Sequence, residues 1–234
     1  MRRRSLILAL SFALLVVVLS ALTGCSSPTE PVGSLEEKST PAPAAPAPVD
    51  PAPAPADDGL YRPEYVPNGS EIAVFTTSKG VIKVQLTGKD TPIHVGNFVE
   101  LASKGFYNGT KFHRYVPGFV VQGGDPQTAG VPSEEILKWA DNPRSPYGTG
   151  GPGHRIEGEF QTNPSNVHVD GALGMARSQD PDSAGSQFYF ALAPLPDLDS
   201  GYTVFGNTIE GRDVIEQLRI GDEIVSVTIE NANH

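Results

Sequence analysis

Residues Phe112-His113-Arg114-Tyr115-Val116-Pro117-Gly118-Phe119-Val120-Val121-Gln122-Gly123-Gly124-Asp125 hold the most chemically suggestive spacing in the chain. An arginine and a primary amide, Arg114 and Gln122, frame a short apolar run broken by a Pro-Gly turn. A guanidinium stays protonated at any working pH and presents a planar fork of donors. Held beside apolar side chains, such a donor can stabilise electron density that develops on a bound substrate, with no covalent step. Taken singly, Arg114 reads as a surface arginine, and Phe119 and Val120 as ordinary core. Other chemistries lack their residues. The 5 histidines (His94, His113, His154, His168 and His234) are scattered with no helical pair, so no metal site is expected. Cys25 is the lone cysteine, which excludes an intramolecular disulfide and a Cys-rich metal centre. The Gly148–Gly153 run lacks the Gly-Lys-Ser/Thr ending of a phosphate loop. Ser186, in Gly-Ser-Gln, lacks the second glycine of a nucleophile elbow. A formal net charge of −10 repels phosphate backbones, so nucleic acid is not an expected partner.

The elements that must position these residues are mostly short strands. Glu71–Thr77 alternates apolar and polar residues, Val81–Leu86 does so again, and Ser78-Lys79-Gly80 between them suits a tight hairpin. Further strands are predicted at Lys111–Val116, Phe119–Gln122, Ala172–Ala176, Gln187–Leu192, Thr203–Gly206 and Ile224–Ile229. Thr91-Pro92 starts a helix carried by Val95, Phe98, Val99 and Ala102, which closes at Lys104-Gly105 with a basic last turn. A second helix fits Arg212–Leu218. Many short strands with two amphipathic helices point to a closed β-barrel or a sandwich, and periodicity does not choose between them.

The 112–125 stretch closely resembles the cyclophilin signature. Further blocks match in the same order: Asn97-Phe98, Gly105-Phe106-Tyr107, Gly148-Thr149-Gly150-Gly151, Met175-Ala176, Gly185-Ser186-Gln187-Phe188, Leu198-Asp199 and Val204-Phe205-Gly206. The resemblance runs from about Glu71 to Glu230. It implies a closed eight-stranded antiparallel barrel capped by two helices, and peptidyl-prolyl cis–trans isomerase activity without a cofactor. It also implies that Arg114 is the catalytic donor and that Phe119, Val120, Tyr189, Leu198 and Tyr202 line a proline pocket. Gln122 would orient Arg114 and bond the substrate carbonyl, while Ala176, Arg177 and Gln187 line the groove beside the proline. The well-studied eukaryotic members have tryptophan where Asp197 stands, which argues against tight cyclosporin binding. Tyr202, Val120 and Tyr189 replace the family's histidine, methionine and second phenylalanine. Residues 127–146 are longer than in compact members; there Ser133 is placed to cap a short helix leading to Trp139.

The first sixty residues read as an address and a tether. Arg2–Arg4, the apolar run Leu6–Leu22 and a small-residue end are the grammar of a secretory leader. Leu22-Thr23-Gly24-Cys25 resembles the bacterial lipobox, which implies a leader at 1–24 and lipidation at Cys25 after cleavage. Residues 25–62 form a proline- and alanine-rich spacer, and 63–234 the isomerase domain. The expected setting is therefore the bacterial cell envelope, outside the cytoplasm and held to the membrane through Cys25. The expected clients are proline-containing segments of exported proteins, handled by a monomer. A non-catalytic proline-peptide binding module and an envelope scaffold are the rival readings.

Overall fold

The computed structural model describes residues 59–140 and 142–232; the leader, Cys25 and the spacer up to residue 58 lie outside them. Strands β1 (Ile72–Thr77) and β2 (Gly80–Leu86) form the expected hairpin, with Thr77 opposite Gly80. Gly80 adopts φ 145°, a conformation that side chains resist, which permits the tight reversal. Their alternation is realised: Ala73, Phe75, Ile82, Val84 and Leu86 are buried in one cluster. Helix α1 (Pro92–Ser103) packs Val95, Phe98, Val99 and Ala102 into the same cluster, where Phe98 stacks on Tyr107 with ring centres 5.0 Å apart. Lys104 lies at the C-cap rather than in the last turn, and Gly105 follows in a left-handed conformation. The N-terminus of α1 is capped from far away in sequence. Glu159 accepts from the amides of Ile93 at 3.0 Å and His94 at 2.8 Å, and also meets His94 Nδ1 at 2.6 Å. A carboxylate there satisfies free amides and complements the helix dipole.

The remaining strands are β3 (Thr110–Lys111), β4 (Arg114–Val116), β5 (Val120–Gly123), β6 (Ala172–Met175), β7 (Phe188–Ala191), β8 (Val204–Glu210) and β9 (Glu223–Glu230). They make one curled antiparallel sheet in the order β3-β9-β1-β2-β8-β6-β7-β5-β4. This corrects the expected closed eight-stranded barrel: among the described residues the sheet has nine strands, and its end strands β3 and β4 do not pair. The reason is that the expected strand Lys111–Val116 is broken. Its first half pairs with β9, where Phe112 continues the contact through Asp222 and Gly221, whereas His113 donates to Gln122 and the second half pairs with β5. One stretch of chain thus serves two edges of a single sheet.

Besides α1, the described residues hold α2 (Ser133–Lys138) and α3 (Arg212–Gln217). Ser133 is not the cap of α2. That position belongs to Pro132, whose carbonyl accepts from Glu135 and Ile136, while the Ser133 hydroxyl donates to Gly221 at 2.7 Å. Ile136 buries the helix against the domain and Leu137 stays exposed. Tyr61 and Arg62, at the end of the spacer, also touch the domain. The Tyr61 hydroxyl donates to Glu100, which pushes the phenol up to about 12, and Arg62 pairs with Glu157. Gly96 on α1 lets this segment pass, since a Cβ there would meet Pro63 and the Tyr65 carbonyl.

Candidate active site

Strands β5, β6 and β7, inside the β4 edge of the sheet, are buried throughout. Val121, Phe188 and Phe190 point into the main core, whereas the alternate residues Val120 and Tyr189 join a separate cluster with Phe119, Ala176 and Leu198. Val116, Leu195 and Tyr202 pack against this second cluster as partly buried neighbours. It is an apolar recess on the outer face of β5 and β7, completed by the 3-10 turn Pro196–Leu198. Arg114 lies beside it on β4, with its guanidinium carbon 6.0 Å from the centre of the Phe119 ring. Its Nη1 is buried and has no hydrogen-bond partner among the described residues. Burial lowers its pKa, but a guanidinium so far above neutrality remains charged.

Across the ladder from Arg114 stands Gln122. Its Nε2 donates to Gln187 Oε1 at 3.0 Å, and Gln187 Nε2 in turn donates to the Gly150 carbonyl at 2.8 Å. Gln122 and Arg114 face each other in register, and the Gln122 amide is held by Gln187. The Gly148–Gly150 loop is fixed by Asp125, which accepts from the amides of Gly148 and Gly150 and of Gln127. A Cβ at Gly150 would collide with the Asp125 carboxylate, so glycine is required there. His113 closes the inner side of the loop; burial pushes its pKa down to about 4 and leaves the ring neutral.

With this geometry in place, comparison with known proteins decides the family. A family model for cyclophilin type peptidyl-prolyl cis-trans isomerase/CLD matches residues 72–233. The chain belongs to the cyclophilins. A peptidyl-prolyl cis-trans isomerase of Helicobacter pylori is 42% identical over 162 residues, covering 68% of this chain and 87% of its own length. One from Synechococcus elongatus is 40% identical, covering 67% of this chain and 94% of its own. Among solved structures, a Cryptosporidium parvum cyclophilin type isomerase, in the presence of the dipeptide ala-pro, aligns with a TM-score of 0.55 and 27% identity. That alignment covers 68% of this chain and 99% of the other. The cyclophilin domain here is a peptidyl-prolyl cis–trans isomerase.

Set beside the residues the motifs single out, the cyclophilin recess brings together Arg114, Phe119, Val120, Gln122, Ala176, Gln187, Tyr189, Leu198 and Tyr202. Arg177 sits against Tyr202. Its Nε donates to the Gly201 carbonyl at 2.8 Å, Nη1 donates to Ser178, and the guanidinium stacks 4.4 Å from the Tyr202 ring. It braces the outer face of Tyr202. Asp197 is exposed next to the buried Leu198. Sequence reasoning assigned no role to Asp125, although it stands in the quoted motif; a conspicuous Asp closing a Gly-Gly pair was the available signal. Nor did it single out His168, whose partners are distant along the chain.

Proposed function

We propose that this isomerase stabilises the twisted imide of an X-Pro bond with Arg114 while the recess holds the proline ring. Rotation about that bond faces a barrier of ~18–20 kcal/mol because the planar amide is conjugated. No bond breaks, so neither nucleophile nor cofactor is needed; the site must favour the twisted form over both planar ones. Twisting localises the lone pair on the imide nitrogen, and a fixed cation aimed at that nitrogen stabilises the twist more than either ground state. The observation that carries this reading is the half-buried guanidinium of Arg114, with Nη1 unpartnered among the described residues, beside the apolar cluster of Phe119, Val120, Ala176, Tyr189 and Leu198. Phe119, Val120, Ala176, Tyr189, Leu198 and Tyr202 exclude water and strengthen the interaction. Gln122, held by Gln187, keeps an unpartnered Oε1 and a second amide proton for the backbone of an extended peptide.

Two-dimensional exchange NMR on a proline tetrapeptide tests the mechanism against a pure binding module. Catalytic amounts of protein should produce cis–trans exchange peaks, whereas a binding module would shift resonances without exchange. We further propose that the protein acts as a monomer on exported clients at the outer side of a bacterial membrane. The leader, the Leu22-Thr23-Gly24-Cys25 motif and the proline-rich spacer support this setting. Cys25→Ser should move the protein from the membrane to the soluble fraction; retention on membranes would rule out the lipid anchor.

A further inference from the structure

Behind the recess lies a buried polar chain in which Tyr189 is joined by two groups the mechanism above does not use, His168 and Asp199. His168 Nδ1 meets Asp199 Oδ1 at 2.7 Å, and His168 Nε2 meets the Tyr189 hydroxyl at 2.8 Å. The imidazole and phenol rings lie nearly parallel, with an interplanar angle of 10°. The backbone amide of His168 also donates to Asp199 at 2.8 Å, and its carbonyl accepts from Leu195 at 2.8 Å. Both His168 and Tyr189 are almost wholly buried. An ionised carboxylate only accepts, so Nδ1 carries the ring proton, Nε2 accepts, and the Tyr189 hydroxyl donates. The histidine therefore links two walls of the recess, Tyr189 on β7 and the turn that carries Leu198 and Asp199. Neighbouring Asn166 secures that turn by donating to the carbonyls of Asp199 and Tyr202. The space for the tyrosine tip is made by Gly174, opposite Tyr189 in the ladder, where a Cβ would overlap the phenol.

We propose that His168 is a positioning residue for the proline recess: backed by Asp199, it fixes the Tyr189 ring and the Leu198 turn, and the recess keeps its shape only while the imidazole is neutral. This rests on the isomerase mechanism proposed above. Protonation would make Nε2 a donor and force the Tyr189 hydroxyl to reverse. Its hydrogen would then face the packed surroundings of Gly174 with no acceptor among the described residues. The groups facing the chain are Asp199 on His168, and Tyr202, Arg177 and Asp199 around Tyr189. Burial opposes the charged ring and Asp199 favours it, and the net effect lies below the ordinary histidine value. Burial likewise raises the Tyr189 phenol, so it stays a donor throughout the working range.

The experiment uses the full chain in detergent, comparing wild type with Tyr189→Phe and His168→Gln. Exchange NMR on a proline tetrapeptide gives kcat and KM from about pH 8 down to about pH 4.5, spanning histidine titration. The expected wild-type behaviour is a KM that rises about tenfold as His168 protonates, with kcat nearly constant. In both variants KM should be raised already and should no longer follow pH. The His168 ring, followed directly by its NMR shifts, should titrate at higher pH in Tyr189→Phe, because the hydroxyl that favours the neutral ring is gone. A KM profile in Tyr189→Phe that parallels wild type, or a His168 titration unmoved by that substitution, would overturn the proposal. Should His168→Gln fail to fold, Tyr189→Phe, which keeps the ring, still decides the matter. Absence of catalysis in wild type at pH 8 would sink the isomerase mechanism instead; peptide affinity against pH and the ring titration would then judge the His168 chain separately.

Discussion

Removing the guanidinium of residue 114 is the perturbation that bears most directly on the mechanism. Arg114→Ala deletes one preorganised cationic donor from a site whose remaining walls are Phe119, Val120, Ala176, Tyr189 and Leu198. None of those side chains can replace it, and Gln122 is engaged with Gln187. Loss of one such donor elsewhere costs ~2.7–4 kcal/mol of transition-state stabilisation, so kcat/KM should fall about 10²–10³-fold. The loss should fall mainly in kcat, because the donor is asked to act on the twisted imide while the apolar walls still hold the proline ring. Arg114→Lys keeps the charge but not the planar fork, and should recover only part of the rate. The assay is protease-coupled isomerisation of a proline tetrapeptide, with thermal unfolding to confirm that each variant is folded. An Arg114→Ala protein within about threefold of wild type would refute the reasoning, since differential stabilisation of the twist would then have to come from elsewhere.

Other perturbations test the frame around the site. Glu159→Gln removes the carboxylate that caps α1 and should destabilise the domain by about 2 kcal/mol, lowering Tm by roughly 4–8 °C in a thermal melt. Glu71 tests stability against pH. Burial opposes its charge, but amide bonds from Asn68 and Gly69 and the Tyr65 hydroxyl outweigh that and hold its carboxyl below the ordinary value. A depressed folded pKa contributes stability above the unfolded value of about 4.3 that disappears as pH falls through the folded one. Urea midpoints should therefore drop between about pH 5 and about pH 3, and by less in Glu71→Gln. Asp197→Trp would set an aromatic ring beside Leu198 and should tighten cyclosporin binding about tenfold by calorimetry.

What was legible in the sequence was what local periodicity or a contiguous motif encodes. Strands β1 and β2 declare themselves by alternation because one face is core and the other meets solvent. Helix α1 follows from Thr91-Pro92 and the spacing of Val95, Phe98, Val99 and Ala102. The run Phe188-Tyr189-Phe190-Ala191 has no alternation because it is buried on both sides, yet the motif still placed Tyr189 in the recess. The break between Lys111 and Arg114 was invisible. Lys111–Val116 reads as one strand, and only the positions of β5 and β9 divide it. The Glu159 cap was equally hidden, since nothing in either local segment announces a partner so far along the chain. The motif set Arg177 beside the groove, but it could not show that the Gly201 carbonyl and the Tyr202 ring hold its side chain. Size-matched replacements such as Tyr189 for phenylalanine hide their polar consequences, because the hydroxyl acquires meaning only once His168 is adjacent.

The split strand has a consequence for how the enzyme comes into being on the ribosome. Thr110 and Lys111 are seated by pairing with Ile224 and Glu223, near the C-terminal end of the domain. Until that final segment leaves the exit tunnel, the stretch leading to Arg114 has only β5 to hold it. Seating of the stretch that leads to Arg114 therefore waits on β9, and a chain interrupted before Glu223 would hold that arginine by its pairing with β5 alone.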